Sequence, residues 1–217
     1  MPGECVGIAG VNGSGKSTLL SVLAGVRKAD LGELICYGHP MFRERKRFPR
    51  LIGYVPQDDP LLEELTVLDN LALWSTHAVT GQEAVIRQLG FSDSLNDTVR
   101  KLSGGTKRRL AIACALINDQ PVLIMDEPTA ALDIRQRDIV HRFIRAHADR
   151  GGVVLMATHD REEMDLCDRL YFLQDGMCGQ AAAEEIIRLI RGREAPGAAG
   201  RYKRETVDPQ TERKSDE

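Results

Sequence analysis

The sequence predicts an α/β fold built on a largely parallel sheet, and three observations carry that prediction. Short apolar runs recur at Cys5–Ala9, Leu34–Tyr37, Leu51–Val55, Val122–Met125, Val153–Ala157 and Arg169–Leu173, each short and bounded in the manner of strands. Stretches with helical spacing separate several of them, the alternation expected of parallel strands joined by crossover helices. The first run also passes directly into GVNGSGKST, Gly10–Thr18, and then into the helical pattern LLSVLAGV.

Taken in order, CVGIA (Cys5–Ala9) is apolar and β-branched enough to be a buried strand. The turn after it fits G-x-x-x-x-G-K-[ST] from Gly10 to Ser17, the phosphate-binding loop that joins a strand to a helix N-terminus. Glycines let backbone N–H groups approach an anion, and the helix dipole adds partial positive charge there. Gly10, Val11, Asn12, Gly13, Ser14, Gly15, Lys16, Ser17 and Thr18 are therefore the predicted nucleoside triphosphate site. Lys16 is assigned to the β- and γ-phosphates and the Ser17 hydroxyl to Mg²⁺.

The basic run FRERKRFPR (Phe42–Arg50) is read as a solvated loop or helix face, because a net charge of −3 makes no global case for nucleic-acid binding. From about Thr66 to Asn118 the pattern is helix after helix with no strand. Thr66 and Asp69 form a capping box at its start. This stretch is predicted to be a helical subdomain inserted in the α/β core. Within it, LSGGTKRRLAIACAL (Leu102–Leu116) places Ser103 as an N-cap, with Gly104 and Gly105 exposing N–H groups at a positive helix end. Lys107, Arg108 and Arg109 are assigned to the solvated side of that helix.

PVLIMDEPTAALD (Pro121–Asp133) is a buried strand ending in two carboxylates. Strand residues alternate faces, so Asp126 and Glu127 can do different work. Asp126 suits the Mg²⁺ shell, and Glu127 suits a general base that polarises an attacking water. Beyond Ile190 the chain turns polar and aperiodic, with glycine and proline. Residues 1–191 are thus assigned to one domain and 192–217 to a disordered tail.

Composition narrows the class. At 217 residues, 42% hydrophobic and 28% charged, the chain has the profile of a soluble globular protein with a sizeable core. Its five cysteines are scattered, odd in number and without a C-x-x-C pair, which argues against a disulfide framework or zinc site and fits a reducing cytosol. The opening residues have no signal-peptide pattern. Apolar runs such as LAIACALI are too short to span a bilayer.

At this point the sequence resembles the nucleotide-binding subunits of ABC transporters. The phosphate loop at Gly10–Ser17, Gln57 in GYVPQ, the LSGG of Leu102–Gly105, the strand ending in Asp126-Glu127, the A-L-D of Ala131–Asp133 and His159 in MATHD occur in that family's order, over about residues 3–180. The resemblance implies a P-loop NTPase core. It implies that Gln57, with Ser17 and Asp126, ligates Mg²⁺ and senses a membrane partner. Ser103, Gly104 and Gly105 would contact ATP held by an opposing subunit, in a homo- or heterodimer with two ATP molecules sandwiched head to tail. Asp133 would link the two sites, and His159 would contact the γ-phosphate; His39, His77, His141 and His147 stay structural or solvated.

Two departures stand out. The signature ends in Thr106 where the family has glutamine, which shortens the reach toward the opposing ATP. The family also carries an upstream segment with two β-strands and an adenine-stacking aromatic that this chain lacks, implying a truncated antiparallel β edge. The expected function is an ATPase subunit, cytoplasmic and peripheral on the inner membrane face, that powers a separate transmembrane subunit, of exporter type. The alternative is a soluble ABC ATPase of ribosome-associated or repair type, or a fragment of a longer subunit. Ribosomal members fuse two such domains and repair ATPases insert long coiled coils, and the sequence has neither. No nucleic-acid partner is expected.

Overall fold

The computed structural model describes residues 2–81 and 83–192. In chain order the strands and helices are β1 (Cys5–Ala9), α1 (Lys16–Leu23), β2 (Ile35–Cys36), β3 (His39–Pro40), α2 (Phe48–Leu51), β4 (Ile52–Val55), α3 (Val67–Trp74), α4 (Ala84–Gln88), α5 (Gly104–Ala115), β5 (Val122–Asp126), α6 (Ile134–Asp149), β6 (Val153–Ala157), α7 (Arg161–Leu166), β7 (Arg169–Gln174), β8 (Met177–Gln180) and α8 (Ala183–Ile190). Six strands form one sheet in the order β4-β5-β6-β1-β7-β8, parallel except for the β7–β8 hairpin, while β2 and β3 form a separate two-stranded antiparallel sheet.

The parallel strands are apolar along their length because helices cover both faces. Strand alternation shows this directly. Leu123, Met125, Val154 and Met156 pack into one core with residues of α3, α5 and α6, whereas Val122, Ile124, Val153 and Leu155 pack into a second core with Leu20 of α1, Met41 and Phe48. The helices between Thr66 and Asn118 follow the predicted run. Thr66 caps α3 through its hydroxyl and Asp69 closes the box, and α5 packs on both α3 and β4.

Several elements depart from the sequence expectation. The predicted strand at Leu34–Tyr37 contracts to the two residues of β2 and pairs with β3 instead of joining the main sheet. Its hairpin turns through Tyr37 (φ 49°) and Gly38 (φ 73°). The strand predicted from Leu51 begins at Ile52, because Leu51 ends α2. β8 and α8 were not foreseen. In the basic run, the arginines at 43, 45, 47 and 50 are exposed while Phe48 turns inward, so the charges lie on the solvent side. The predicted tail lies, from residue 193 on, outside the described residues.

Candidate functional site

Four segments of the site leave the C-terminal ends of parallel strands, where open α/β sheets bind their ligands. β1 delivers Gly10–Thr18, β4 delivers Gln57, β5 ends in Asp126 and delivers Glu127, and β6 delivers Thr158 and His159. Strand pairing carries on past the ladders to hold these ends together: Thr158 N–H donates to the Ile8 carbonyl at 3.0 Å, and Glu127 N–H to the Ala157 carbonyl at 3.0 Å. Between them lies a cavity of about 730 Å³ lined by Gly10, Val11, Asn12, Gly13, Gly15, Lys16, Ser17, Thr18, Gln57, Glu127, His159 and Ile190. None of its lining residues is Phe, Tyr or Trp; Val11 and Ile190 are its aliphatic side chains.

The loop's sequence follows from its shape. Gly13 and Gly15 sit at φ 81° and 98°, backbone that L side chains adopt only with strain. At Gly10 a Cβ would lie 2.5 Å from the Leu173 carbonyl oxygen and 2.6 Å from Ser14 Oγ, so the loop can lie against β7 only with glycine there. α1 begins at Lys16 with no side-chain cap on its N-terminus; its first-turn N–H groups are left to a ligand. Lys16, 7% exposed as a residue, donates from Nζ to the carbonyls of Gly10 at 2.9 Å and Val11 at 3.2 Å.

These features fit a phosphate chain: a glycine cradle, an uncapped helix end and a buried lysine on the loop; Ser14, whose buried Oγ has no partner, is not among the residues lining the cavity. They also fit Mg²⁺ held jointly by protein and phosphate. Among the described residues no cluster of three or more His, Cys, Asp or Glu could hold a metal alone. The Ser17 hydroxyl and Gln57 amide line the cavity, and Asp126, 2% exposed, ends the strand beside it. Few protein donors plus phosphate oxygens is how Mg²⁺ is commonly held.

Glu127 has φ 48°. That left-handed turn separates it from Asp126, placing one carboxylate in the core and the next on the cavity wall. Glu127 Oε1 lies 3.2 Å from His159 Nδ1; the carboxylate oxygen accepts where Nδ1 carries the imidazole proton.

The cavity wall contains none of Ser103, Gly104, Gly105 or Asp133. Ser103 caps α5, its Oγ accepting from Thr106 N–H at 3.2 Å and lying 2.9 Å from Thr106 Oγ1. Asp133 caps α6, its Oδ1 accepting from Gln136 N–H at 2.8 Å.

Of the basic triplet on α5, Arg108 leaves the solvated side altogether, Arg109 is half-buried and Lys107 keeps a surface ion pair. Arg108 is 5% exposed. Arg109 lies with its guanidinium carbon 5.5 Å from the centroid of Phe91 and donates to the Leu89 carbonyl. Lys107 pairs with Glu63 at 2.5 Å. The cause is that α5 is enclosed by neighbours, so long side chains run along packed surface to reach acceptors. Successive residues on a helix also step round it by about 100°, so three in a row cannot share one narrow face, a signal that could have placed Arg108 inside.

A family model for ABC transporters matches residues 1–130. The Nod factor export ATP-binding protein I of Rhizobium etli is 40% identical over 183 residues, covering 81% of this chain and 58% of that protein. The protein of the same name from Burkholderia pseudomallei is 37% identical, covering 81% and 60%. The chain thus spans 58–60% of the length of these curated relatives. Among solved structures, a dimeric ATP-binding cassette in a post-hydrolysis state with ADP and phosphate is similar at a TM-score of 0.73 and 28% identity, covering 83% of this chain and 86% of the other. A dimeric bacterial ABC transporter cassette is similar at 0.71 and 30% identity, covering 81% and 83%.

Proposed function

The chain belongs to the ABC transporter family, and from that premise we propose that it is an ATP-hydrolysing subunit that drives export through a separate membrane-spanning subunit. The observation that carries the reading is the convergence on one cavity of the glycine cradle, Lys16, Ser17, Gln57, Glu127 and His159.

ATP is the substrate. The N–H groups of Gly10–Thr18 and the Lys16 ammonium bind its phosphates, and Lys16 exchanges the Gly10 and Val11 carbonyls for phosphate oxygens. Bound Mg²⁺ would supply charge neutralisation at the phosphates, held by Ser17, Gln57 and Asp126. Glu127 accepts the proton of the attacking water as general base. The hydrogen bond between His159 Nδ1 and Glu127 orients that carboxylate, and the His159 side chain is assigned to the γ-phosphate.

Because Ser103, Gly104 and Gly105 lie off this cavity, their proposed target is ATP on a second subunit, in a head-to-tail dimer with Asp133 between the sites. The dimeric state of both similar cassettes supports this. The names of the export relatives support the direction of transport. No described helix is long and apolar enough to cross a membrane; in the proposed assembly the spanning part belongs to a partner at the inner membrane face. Leu62, Leu73 and Trp74, each about half exposed, offer it an apolar surface; Leu62 is tied to α3 through Asn70.

The test separates binding from chemistry. Lys16→Ala should abolish ATP binding measured by equilibrium titration, whereas Glu127→Gln should bind ATP and release no phosphate. Phosphate release by Glu127→Gln at the wild-type rate would remove Glu127 from its role. A wild-type chain that binds no nucleotide would sink the whole reading.

A further inference from the structure

The ladder between β4 and β5 ends at the pair Val55–Met125. Just beyond it lie Gln57 and Asp126, two of the proposed Mg²⁺ ligands, and Glu127. Where the ladder stops, the guanidinium of Arg108 takes over. Nη1 donates to the Pro56 carbonyl at 2.5 Å and to Asp59 Oδ1 at 2.8 Å, with the Gln57 carbonyl at 3.5 Å. On the other side Nη2 donates to the carbonyls of Asp126 at 2.5 Å and Glu127 at 3.1 Å, and Nε to that of Pro128 at 3.2 Å. Arginine has five N–H donors in a fixed plane, so this set occupies them all, and the Gln57 contact is the long, shared one. The side chain is almost wholly buried, and both sets of partners follow strand ends that face the cavity.

We propose that Arg108 is a positioning residue: its planar fork fixes the Gln57 segment against the Asp126–Glu127 turn, and thereby sets the spacing at which Gln57 and Asp126 can share Mg²⁺ with bound nucleotide. This rests on the function proposed above for those residues. The fork's shape is what matters. A lysine in its place carries the same charge but is a point donor; it cannot hold carbonyls on both sides in one plane. The geometry also distinguishes this role from plain packing, because every partner but Asp59 is a main-chain oxygen in the two segments that carry the site.

The experiment measures ATP affinity by calorimetry with Mg²⁺ and with EDTA, for wild type, Arg108→Lys, Arg108→Gln and Asp59→Asn. In EDTA the Arg108 variants should bind within about twofold of wild type, since Gly10–Thr18 is untouched. The gain in affinity on adding Mg²⁺ should fall by about tenfold in both, the worth of one charge-assisted hydrogen bond. Asp59→Asn, which weakens one side of the fork without altering α5, should lose in the same direction and by less. Hydrogen exchange should quicken at residues 56–59 and 126–129 in the Arg108 variants and stay unchanged at 10–18. A full Mg²⁺ gain in both Arg108 variants, or in Arg108→Lys alone, would overturn the proposal, the latter by showing that charge suffices. Unchanged exchange at both segments would overturn it too, and this arm holds even if wild type bound no nucleotide, the result that would instead remove the functional reading.

Discussion

Glu127 carries a Cβ at φ 48°, and the stability of two substitutions measures what that conformation costs. In the left-handed region a Cβ crowds the following carbonyl, at about 1–2 kcal/mol. Replacing Glu127 by alanine keeps the Cβ, and replacing it by glycine removes it. Both variants lose the same carboxylate and the same contact with His159, so these losses cancel in the comparison. Glycine has more freedom to lose from the unfolded chain, which offsets about 0.5–1 kcal/mol. The difference leaves Glu127→Gly more stable than Glu127→Ala by roughly 0.7 kcal/mol, or about 2 °C in melting temperature for a chain of this size. At an exposed helical position such as Arg142 the order reverses, and alanine should exceed glycine by about 1 kcal/mol. Urea unfolding of all four variants without nucleotide reads both signs. Glu127→Ala equal to or more stable than Glu127→Gly would refute the strain. The turn would then be relaxed, and the separation of the two carboxylates would be free of cost.

Two further predictions follow from the site and its surroundings. Mixing a Lys16→Ala chain with a Ser103→Arg chain should restore ATPase activity that neither has alone, because one composite site per heterodimer is then intact; no recovery in mixtures shown to contain heterodimers would count against signature contacts in trans. His147 is buried on α6 against Phe143, and burial, the largest influence, holds its pKa below the ordinary histidine value of 6.5. The unfolded chain therefore binds that proton first as pH falls below 6.5, so wild-type stability should drop there relative to His147→Gln; parallel stability curves between pH 7.5 and 5 would show that His147 is not buried as the neutral form.

The parts of this molecule that were legible in the sequence are those whose constraint is local. Gly10–Ser17 could be read because a tight turn, a close approach and a helix start all fall within eight consecutive residues, each restricting residue type at a fixed offset. The strand at Val122–Asp126 could be read because burial on both faces leaves no polar position until the carboxylates. Two hairpins were equally local and still went unread. Asp175 and Gly176, at φ 50° and 74°, form the two-residue turn between β7 and β8, and Asp-Gly is the strongest short hairpin signal a sequence carries. It was masked because β8, at Met177–Gln180, exposes three of its four residues and so lacks the apolar alternation of a half-buried strand.

Arg108 is a different case, since nothing near it in sequence shows its partners. They lie 49–52 residues before it and 18–20 after it, and come together only once β4 and β5 are paired. Periodicity reports which face of a helix is apolar; it does not report that a polar face will meet carbonyls where a strand ladder ends. The signature loop extends the same argument past the single chain. Ser103 and Asp133 each have a full local account as helix caps, so their geometry within one subunit would be satisfied with no ligand at all. In the proposed dimer their role would come from a surface that a second subunit completes, so the mixed-chain measurement, and not a closer view of one chain, decides it.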